Sequence, residues 1–310
     1  MTRHALLGRL LKFRSVDVSD ITAPQDVLRR LTRRRALTLM ASVAGVSSAG
    51  LCIRAFREPN DVQVTNIRVG LPGLPKQSDG LRVAFLTDLH YGPDTPTSTI
   101  IRAVSLVKQQ AADLVLIGGD YVQWSMEHLS GVIPILTQLT APLGVFGVLG
   151  NHDYYHPDLL SERLTRESNV HILRNEGVDL QNGLYLCGID DTWRGRFDSD
   201  AAERNRPKET GMIALSHNPV GINLFRNSGA LVLSGHTHGG QILLPGIPPH
   251  RAPGLGDFPT LQGWYNINRT TGYVSRGVGQ TMLPLRLNCP PEVVIATICS
   301  LPIGDRCKSV

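Results

Sequence analysis

The chain has 310 residues, of which 42% are apolar and 18% charged, and its mean hydropathy is −0.04. This length and balance exclude a largely disordered chain and a membrane protein with many spans. The net charge of +5 is uneven, because residues 1–57 carry 11 Lys/Arg against 3 Asp/Glu while residues 58–310 carry 20 against 23. A nucleic-acid-binding domain would carry its basic excess on the folded body, so the sequence predicts no nucleic-acid partner.

Residues 1–57 are predicted to form a basic N-terminal arm, followed by one domain over residues 58–310. Within the arm, Arg33–Arg35 precede an uncharged run of 18 residues, Ala36–Ile53, that is mildly hydrophobic and marginal in length for a bilayer span. Paired arginines before such a run are similar to a twin-arginine export signal. The arm is interpreted as an export signal, an uncleaved membrane anchor or a basic helix packed on the domain. The first two predict a location at the cell envelope, periplasmic or on the outer face of the membrane, with the export machinery or the membrane surface as a partner.

From residue 61 onward, short apolar runs alternate with segments of helical periodicity, which predicts an α/β domain with a second sheet in its later half. Helices are predicted at Thr99–Gln110, around Met126–Leu139 and after Pro157. The predicted strands are Val62–Val69, Leu81–Leu86, Leu114–Ile117, Val145–Leu149, Leu184–Ile189, Met212–Leu215, Ala230–Leu233 and Val293–Ile298.

Five consecutive apolar runs each end in a short polar segment that contains His, Asp or Asn. A single residue of this kind usually forms a turn, caps a helix or makes a loop hydrogen bond. Their recurrence indicates a site, because five of the ten histidines fall at these positions and ligands gather at the carboxyl ends of strands in α/β sheets. The residues concerned are Asp88, His90, Asp120, Asn151, His152, His217, His236 and His238.

These side chains offer imidazole, carboxylate and amide donors and no thiolate. Such a set suits Mn, Fe, Zn or Ni and argues against an iron–sulfur cluster or a structural zinc site. The donors are too many for one ion and enough for two. Two-metal sites clamp a phosphoryl group during in-line displacement, with one carboxylate as the bridge and a bridging water as the nucleophile. The sequence therefore predicts a site for two divalent transition metal ions.

The ordered series Asp-x-His, Gly-Asp, Gly-Asn-His-Asp, His and Gly-His-x-His over residues 81–240 resembles the calcineurin-like metallophosphoesterase superfamily. Its YkuE/YaeI-like branch, whose members often carry export or anchor segments, is similar at Tyr273–Leu287, Pro291–Glu292, Ser216–Pro219 and Gly239–Gln241. The resemblance implies an α/β fold of the four-layer α/β/β/α sandwich type, with two mixed sheets and the dimetal site at one edge. It also implies that Tyr273–Leu287 closes a sheet.

By position in the motifs, the resemblance gives each residue a role. His152 matches the histidine that contacts the phosphate and assists departure of the leaving group, and Asp153 would orient its ring or cap the next turn. Asp120 would bridge the two ions. The first ion would be held by Asp88, His90, Asp120 and His238, and the second by Asp120, Asn151, His217 and His236.

Two further segments are candidates for the substrate side of the site. Residues 190–196 follow a predicted strand and contain two arginines, so they either approach the site to bind phosphate or form a solvated loop. Residues 245–272 contain five Pro and five Gly with aromatic residues between them. This composition predicts a long surface loop, either a substrate lid, a lipid-facing lip or an ordinary structured loop.

The motif set predicts a dimetal-dependent phosphoesterase at the cell envelope, in which a metal-bridged hydroxide attacks phosphorus. The leading prediction is a phosphodiesterase or pyrophosphohydrolase, with lipid-linked esters among the candidate substrates. The alternatives are a phosphomonoesterase acting on nucleotides or phosphoproteins and, of another class, a metal-binding envelope scaffold without turnover. A scaffold would have lost ligands, whereas the predicted ligand set is complete.

Overall fold

The computed structural model describes residues 50–123 and 125–301 and the backbone of Lys308–Ser309. Arg33–Arg35 and most of the uncharged run lie outside the described residues, so the division between arm and domain and the three interpretations of the arm stay predictions. Within the described part of the chain, no helix is both long enough and apolar enough to cross a bilayer. A helical segment at residues 52–57 leads into a 3-10 turn at Glu58–Asn60.

Thirteen strands and four α-helices are described, and they include each strand and helix predicted from periodicity. The helices are α1 (Thr97–Gln109), α2 (Leu129–Leu136), α3 (Pro157–Glu167) and α4 (Ser199–Glu203). The strands are β1 (Gln63–Pro72), β2 (Leu81–Leu86), β3 (Leu114–Ile117), β4 (Val145–Gly147), β5 (Val170–Ile172), β6 (Glu176–Asp179), β7 (Leu184–Gly188), β8 (Gly211–Leu215), β9 (Leu231–Ser234), β10 (Gly263–Ile267), β11 (Thr270–Val274), β12 (Glu292–Leu301) and β13 (Lys308–Ser309).

The strands form two mixed sheets. The first has the order β13-β1-β12-β2-β3-β4-β5, in which β2 to β5 run parallel and β12 is antiparallel to β2. The second has the order β10-β11-β9-β8-β7-β6, in which β11, β9, β8 and β7 run parallel and the two outer strands are antiparallel to their neighbours. In each sheet the parallel strands bring their carboxyl ends to one edge, which is where a ligand site is expected.

The two sheets pack face to face because buried residues alternate along their strands. Leu116 of β3 and Leu215 of β8 lie in the apolar core between the sheets. Val115 points the other way, into a core shared with α1, α2 and α3, and Ala214 points to an outer core that includes α4. These layers confirm the four-layer α/β/β/α sandwich of two mixed sheets.

The prediction that residues 245–272 form one long loop is wrong at its carboxyl end. There β10 and β11 form an antiparallel hairpin, with a turn in which Asn268 has a φ of +52°. Trp264 packs against the core between the sheets and Tyr265 against the outer core, the alternation expected of a strand. Frequent Gly and Pro hide this short alternation in the sequence.

The expectation that Tyr273–Leu287 closes a sheet holds for its first two residues, which end β11. The remainder is irregular and runs along the end of β2, where the backbone N–H of Val278 donates to the carbonyl of Thr87 at 3.0 Å. Gly277 permits this approach, since a Cβ there would lie 2.8 Å from Cβ of Asp88. This segment therefore forms a wall of the candidate site.

Candidate metal centre

The predicted ligands lie together at the edge where the strands of both sheets end. Residues after β2, β3 and β4 of the first sheet meet residues after β8 and β9 of the second. All are buried except Asn151, which is half-buried. The first sheet contributes Asp88, His90, Asp120 and Asn151, and the second contributes His217, His236 and His238.

The backbone is left-handed at five of these seven positions. Non-glycine residues pay about 1–3 kcal/mol for unfavourable backbone regions, although Asp and His enter the left-handed region more readily than most. The residues with a strained backbone are thus the same residues whose side chains form the candidate site. The φ angles are 54° at Asp88, 42° at His90, 54° at Asp120, 70° at His236 and 51° at His238.

Four donors converge at the end of β2. Nε2 of His90 lies 3.0 Å from Nε2 of His238 and 3.3 Å from Oδ2 of Asp120. Oδ1 of Asp88 lies 3.5 Å from Nε2 of His238 and accepts a hydrogen bond from the backbone N–H of His236 at 3.0 Å. The donor atoms predicted for the first ion therefore point to one place.

The second group surrounds His217. Its Nε2 lies 3.3 Å from Oδ2 of Asp120 and 3.2 Å from Oδ1 of Asn151, while its Nδ1 donates to the carbonyl of Gly118 at 2.7 Å. The ring of His236 packs edge-on against that of His217 at 5.1 Å, and its Nε2 donates to a backbone carbonyl. Each of these backbone hydrogen bonds fixes the tautomer of its ring, and in His217 it leaves Nε2 for the site.

Asp120 connects the two groups through a single oxygen. Oδ2 lies 3.3 Å from Nε2 of His90 and from Nε2 of His217, whereas Oδ1 accepts a hydrogen bond from the backbone N–H of His152 at 2.8 Å. Burial alone would raise the pKa of Asp120, but His217 and His90 outweigh burial and hold that pKa well below its ordinary value. Asp120 is therefore an ionised carboxylate placed between the groups, as a bridge requires.

This donor set fits two divalent ions. Its imidazole, carboxylate and amide-oxygen donors match Mn, Fe, Zn or Ni, and the tautomer of His217 is fixed for ligation. The structure brings all seven predicted ligands together. Three groups of described residues have donor atoms that all lie within 4.8 Å of one another, and none of them includes His236: Asp88, His90 and His238; Asp88, Asp120 and His217; and His90, Asp120 and His152.

His152 lies beside these donors and also lines the cavity above them. Its ring packs edge-on against that of His90 at 4.6 Å, and a ring nitrogen lies within 4.8 Å of the donor atoms of His90 and Asp120. Burial lowers the pKa of His152 to about 4, although the Asp120 charge opposes this effect. The imidazole is therefore neutral near pH 7 and within reach of both a metal ion and a substrate.

Asp153 braces the backbone around Asp120. Its carboxylate accepts hydrogen bonds from the backbone N–H groups of Asp120 at 2.8 Å, Tyr121 at 3.0 Å and Gly150 at 2.8 Å. Burial and the Asp120 charge raise the pKa of Asp153 to about 7. The hydrogen bond from Gly150 is the turn cap that the sequence suggested, while orientation of the His152 ring by Asp153 stays a prediction.

Sequence reasoning missed Arg286, which is fully buried next to the site. Its guanidinium donates to the carbonyls of Gly279 at 2.6 Å, Arg276 at 2.8 Å and Cys289 at 3.0 Å, and it reaches the carbonyl of His238 at 3.5 Å. One side chain therefore connects the wall after β11 to the predicted ligand His238. The available signal was a lone arginine in the apolar run Met282–Leu287, because an unpaired Arg is rarely buried.

Residues 190–196 approach the site, which is the first of their two predicted alternatives. Trp193 and Arg194 line the cavity above the donors. The buried carboxylate of Asp191 accepts the backbone N–H groups of Trp193 at 3.1 Å and Arg194 at 2.6 Å, so it shapes the turn that presents them. The Arg194 guanidinium lies 4.6 Å from the centroid of the Trp193 ring.

The cavity has a volume of about 810 Å³ and contains Asp120, Asn151, His236 and His238 among its lining residues. Among the described lining residues, Arg194 is the only Lys or Arg. Such a cavity has room for a substrate larger than inorganic phosphate. It offers that substrate one permanent positive charge in addition to any bound ions.

Comparisons with known proteins identify the family. A model described as calcineurin-like phosphoesterase matches residues 81–240. The chain is similar to phosphodiesterase YaeI of Escherichia coli, with 32% identity over 86% of this chain and 98% of that protein. It is also similar to the metallophosphoesterase YkuE of Bacillus subtilis, with 28% identity over 87% of this chain and 99% of that protein. Among solved structures, the E. coli phosphoesterase Yfce aligns over 65% of this chain and 82% of that chain, with 15% identity and a TM-score of 0.34.

Proposed function

Because the chain belongs to the calcineurin-like phosphoesterase family and is a metal-dependent phosphoester hydrolase, we propose that it is a dimetal phosphodiesterase or pyrophosphohydrolase. The observation that carries this proposal is the position of Asp120 Oδ2, at 3.3 Å from His90 and 3.3 Å from His217. A single carboxylate oxygen between two donor groups is the arrangement that a pair of ions requires. Two ions bound there would lower the pKa of water to supply a hydroxide and would neutralise charge on phosphoryl oxygens.

The protein's own side chains have separate tasks in this proposal. The neutral His152 ring donates a hydrogen bond from its N–H to the phosphoryl group or to the departing oxygen. Arg194 binds a non-bridging oxygen. Hydrolysis then adds an oxygen to phosphorus and breaks the P–O bond to the leaving alcohol, which takes up a proton. Asp153 keeps the backbone of Asp120 in place while the substrate is held.

Charge favours a diester over a monoester. A diester carries one negative charge near neutral pH and a monoester carries close to two, so a monoester needs more cationic partners. In the described lining of the cavity, Arg194 alone offers a permanent positive charge outside the metal centre. Similarity to a protein named phosphodiesterase supports the same preference. A phosphomonoesterase acting on nucleotides or phosphoproteins is the second candidate, and the complete donor set argues against a scaffold without turnover.

The proposal includes a location at the cell envelope, reached through the N-terminal arm. Its support is the sequence of the arm, in which Arg33–Arg35 precede the uncharged run Ala36–Ile53. The export machinery or the membrane surface would then be the partner of the arm. Residues 58–310 carry a slight acidic excess, which does not favour binding to nucleic acid.

A reconstitution experiment tests the enzymatic proposal. The full chain is stripped with a chelator, reloaded separately with Mn, Fe, Zn or Ni, and assayed with bis(p-nitrophenyl) phosphate, p-nitrophenyl phosphate and a pyrophosphate diester. We expect two bound ions per chain and a kcat/KM for a diester at least about tenfold above that for the monoester, the equivalent of ~1.4 kcal/mol. A reversed ratio would identify a phosphomonoesterase, and two bound ions without any turnover would identify a scaffold.

A further inference from the structure

The mouth of the cavity carries exposed apolar side chains. We call Tyr155, Trp193, Met282 and Leu283 the apolar rim, because all four line the cavity and yet are 55%, 39%, 73% and 49% exposed. Scattered apolar residues on a surface are ordinary, whereas a group around a pocket marks a place where an apolar partner binds.

The part of the apolar rim at Met282 and Leu283 is held in place by the site itself. The side-chain amide of Gln241 donates to the carbonyls of Thr281 at 3.0 Å and Leu283 at 3.1 Å, and its oxygen accepts the backbone N–H of Thr281 at 3.0 Å. Gln241 follows the ligand His238 by three residues. Met282 has a φ of +65°, so a strained backbone presents its largely exposed side chain. Met282 and Leu283 are therefore held in position for contact with an apolar ligand.

The aromatic part of the rim is anchored as well. The ring of Trp193 lies 6.1 Å from that of His236, so the rim adjoins the donors. Tyr155 follows Tyr154, whose hydroxyl donates to the buried carboxylate of Asp190. Asp190 is also paired with Arg174 at 3.1 Å. These anchors keep the rim beside the place where a phosphoryl group would bind.

The helical segment at residues 52–57 is hydrogen-bonded to the wall a few residues after Leu283. The backbone N–H of Arg286, three residues after Leu283, donates to the carbonyl of Ala55 at 3.1 Å. On that segment Ile53 and Phe56 are exposed apolar residues and Arg57 is exposed with them, while the exposed Arg54 pairs with Glu58 at 3.2 Å. Apolar side chains flanked by arginines suit the interface of a membrane with anionic lipids. In the sequence, the uncharged run that is the candidate anchor ends at Ile53, within this segment.

We infer that the apolar rim receives the hydrocarbon chain of a lipid phosphodiester presented at a membrane surface. This inference rests on the proposed phosphodiesterase function and names its substrate class. The phosphoryl group would lie at the metal centre, and the chain attached through an ester oxygen would extend over the rim toward the lipid. Water adds to phosphorus, the P–O bond to the leaving group breaks, and the leaving oxygen takes the proton.

A series of alkyl p-nitrophenyl phosphates, from methyl to hexyl and all monomeric in solution, tests the rim. Each fully buried methylene would raise kcat/KM about fourfold, the equivalent of ~0.8 kcal/mol, and a rim open on one side should give about half of that energy. We therefore expect kcat/KM for the hexyl ester to exceed that for the methyl ester by at least about tenfold. The double variant Met282→Ser, Leu283→Ser should reduce this ratio to about threefold or less.

Ile101→Ser is the matched control, because Ile101 is 49% exposed, like Leu283, but lies on α1 and outside the cavity lining. It should keep the hexyl-to-methyl ratio of the wild type. Trp193→Ser supplies a second rim variant on another loop. A wild-type ratio within threefold, or a double variant that keeps the wild-type ratio, overturns the inference while leaving diester hydrolysis of the methyl ester intact.

Two further measurements separate the rim from the chemistry and from the membrane. Calorimetric binding of hexyl phosphate against methyl phosphate to the metal-loaded chain needs no turnover, and equal affinities would contradict the rim even in an inactive protein. Hexadecyl p-nitrophenyl phosphate in phosphatidylcholine vesicles should be hydrolysed by the wild type and by Ile101→Ser, and about tenfold more slowly by the double variant. Turnover of the soluble hexyl ester without turnover in vesicles would overturn presentation at a lipid surface.

Discussion

Oδ1 of Asp120 accepts a hydrogen bond from the backbone N–H of His152 at 2.8 Å. This contact fixes the rotation of the carboxylate and leaves Oδ2 as the oxygen that faces both donor groups. It also places the residue proposed to act on the substrate directly beside the residue proposed to bridge the ions. In the proposed mechanism this backbone amide therefore connects metal binding to the chemical step, and substitutions of Asp120 and of His152 should affect the two separately.

Asp120→Asn should bind fewer than two ions per chain and lose turnover. The amide keeps one oxygen for the His152 N–H but replaces the bridging oxygen by an NH₂ group, which does not bind cations. The loss should exceed the ~10- to 100-fold that is typical of a residue outside the ligand set. Metal content by inductively coupled plasma mass spectrometry and diester kinetics measure both effects. Asp200→Asn, at an exposed position in the first turn of α4, is the control, and two tightly bound ions in Asp120→Asn would show that Asp120 is not the bridge.

His152→Ala should keep both ions and lose turnover by about 10²–10³-fold, the usual cost of removing one hydrogen-bond donor to the charge that develops in the transition state. The loss should shrink for esters with good leaving groups, because these need less help from an N–H. Metal analysis and a series of leaving groups of different pKa provide the measurement. If an ion is lost instead, His152 is a ligand, as its nearness to His90 and Asp120 would allow. Wild-type metal content and wild-type activity together would make it a spectator.

Arg286→Met should lower the free energy of unfolding by at least about 3 kcal/mol, because several buried carbonyls lose their donor and each unsatisfied group costs ~1–3 kcal/mol. Arg286→Lys should restore only part of this loss, since an ammonium cannot match the planar array of donors. Urea unfolding of the metal-free chain, followed by circular dichroism, measures the change. Arg166→Met, on the exposed side of α3, should leave the unfolding midpoint almost unchanged. Equal midpoints for Arg286→Met and the wild type would contradict this structural role.

Replacing Arg33, Arg34 and Arg35 together by Lys tests the arm. The positive charge stays, but the guanidinium pattern that a twin-arginine receptor reads is lost. We expect export or membrane fractionation to fail while phosphodiesterase activity persists in the lysate. Cell fractionation followed by activity assays makes the comparison. Unchanged localisation would favour a general secretory anchor or an arm without a signal.

The pattern of apolar and polar residues along the chain predicted the strands and the place where the predicted ligands meet. Leu81–Leu86 and Leu114–Ile117 have the bounds read from the sequence, because a strand buried on both faces is a nearly continuous apolar run that ends shortly before the predicted ligands. The ligands could be grouped for the same reason, since parallel strands carry their ends to one edge. The hairpin of β10 and β11 was missed because its alternation is short and interrupted.

The roles of residues whose contacts are far apart in the sequence were harder to predict. Arg286 binds carbonyls in three separate parts of the wall, and Gln241 binds the backbone of Thr281, about 40 positions further along the chain. Neither contact follows from periodicity or from a motif. The backbone role of Asp153 was foreseen only as a turn cap, because its bonds to Asp120 and Tyr121 depend on how β3 and β4 end side by side.

The left-handed backbone at Asp88, His90, Asp120, His236 and His238 restricts any attempt to re-engineer metal preference. Exchanging one of these predicted ligands for Cys would replace its donor atom by sulfur and also place a less tolerant residue in a strained conformation. Asn151 and His217 have ordinary negative φ angles and carry no such penalty. A directed-evolution library aimed at a softer or harder metal should therefore diversify these two positions first. Both belong to the second ion's group, so selectivity should be easier to alter for one ion of the pair than for the other.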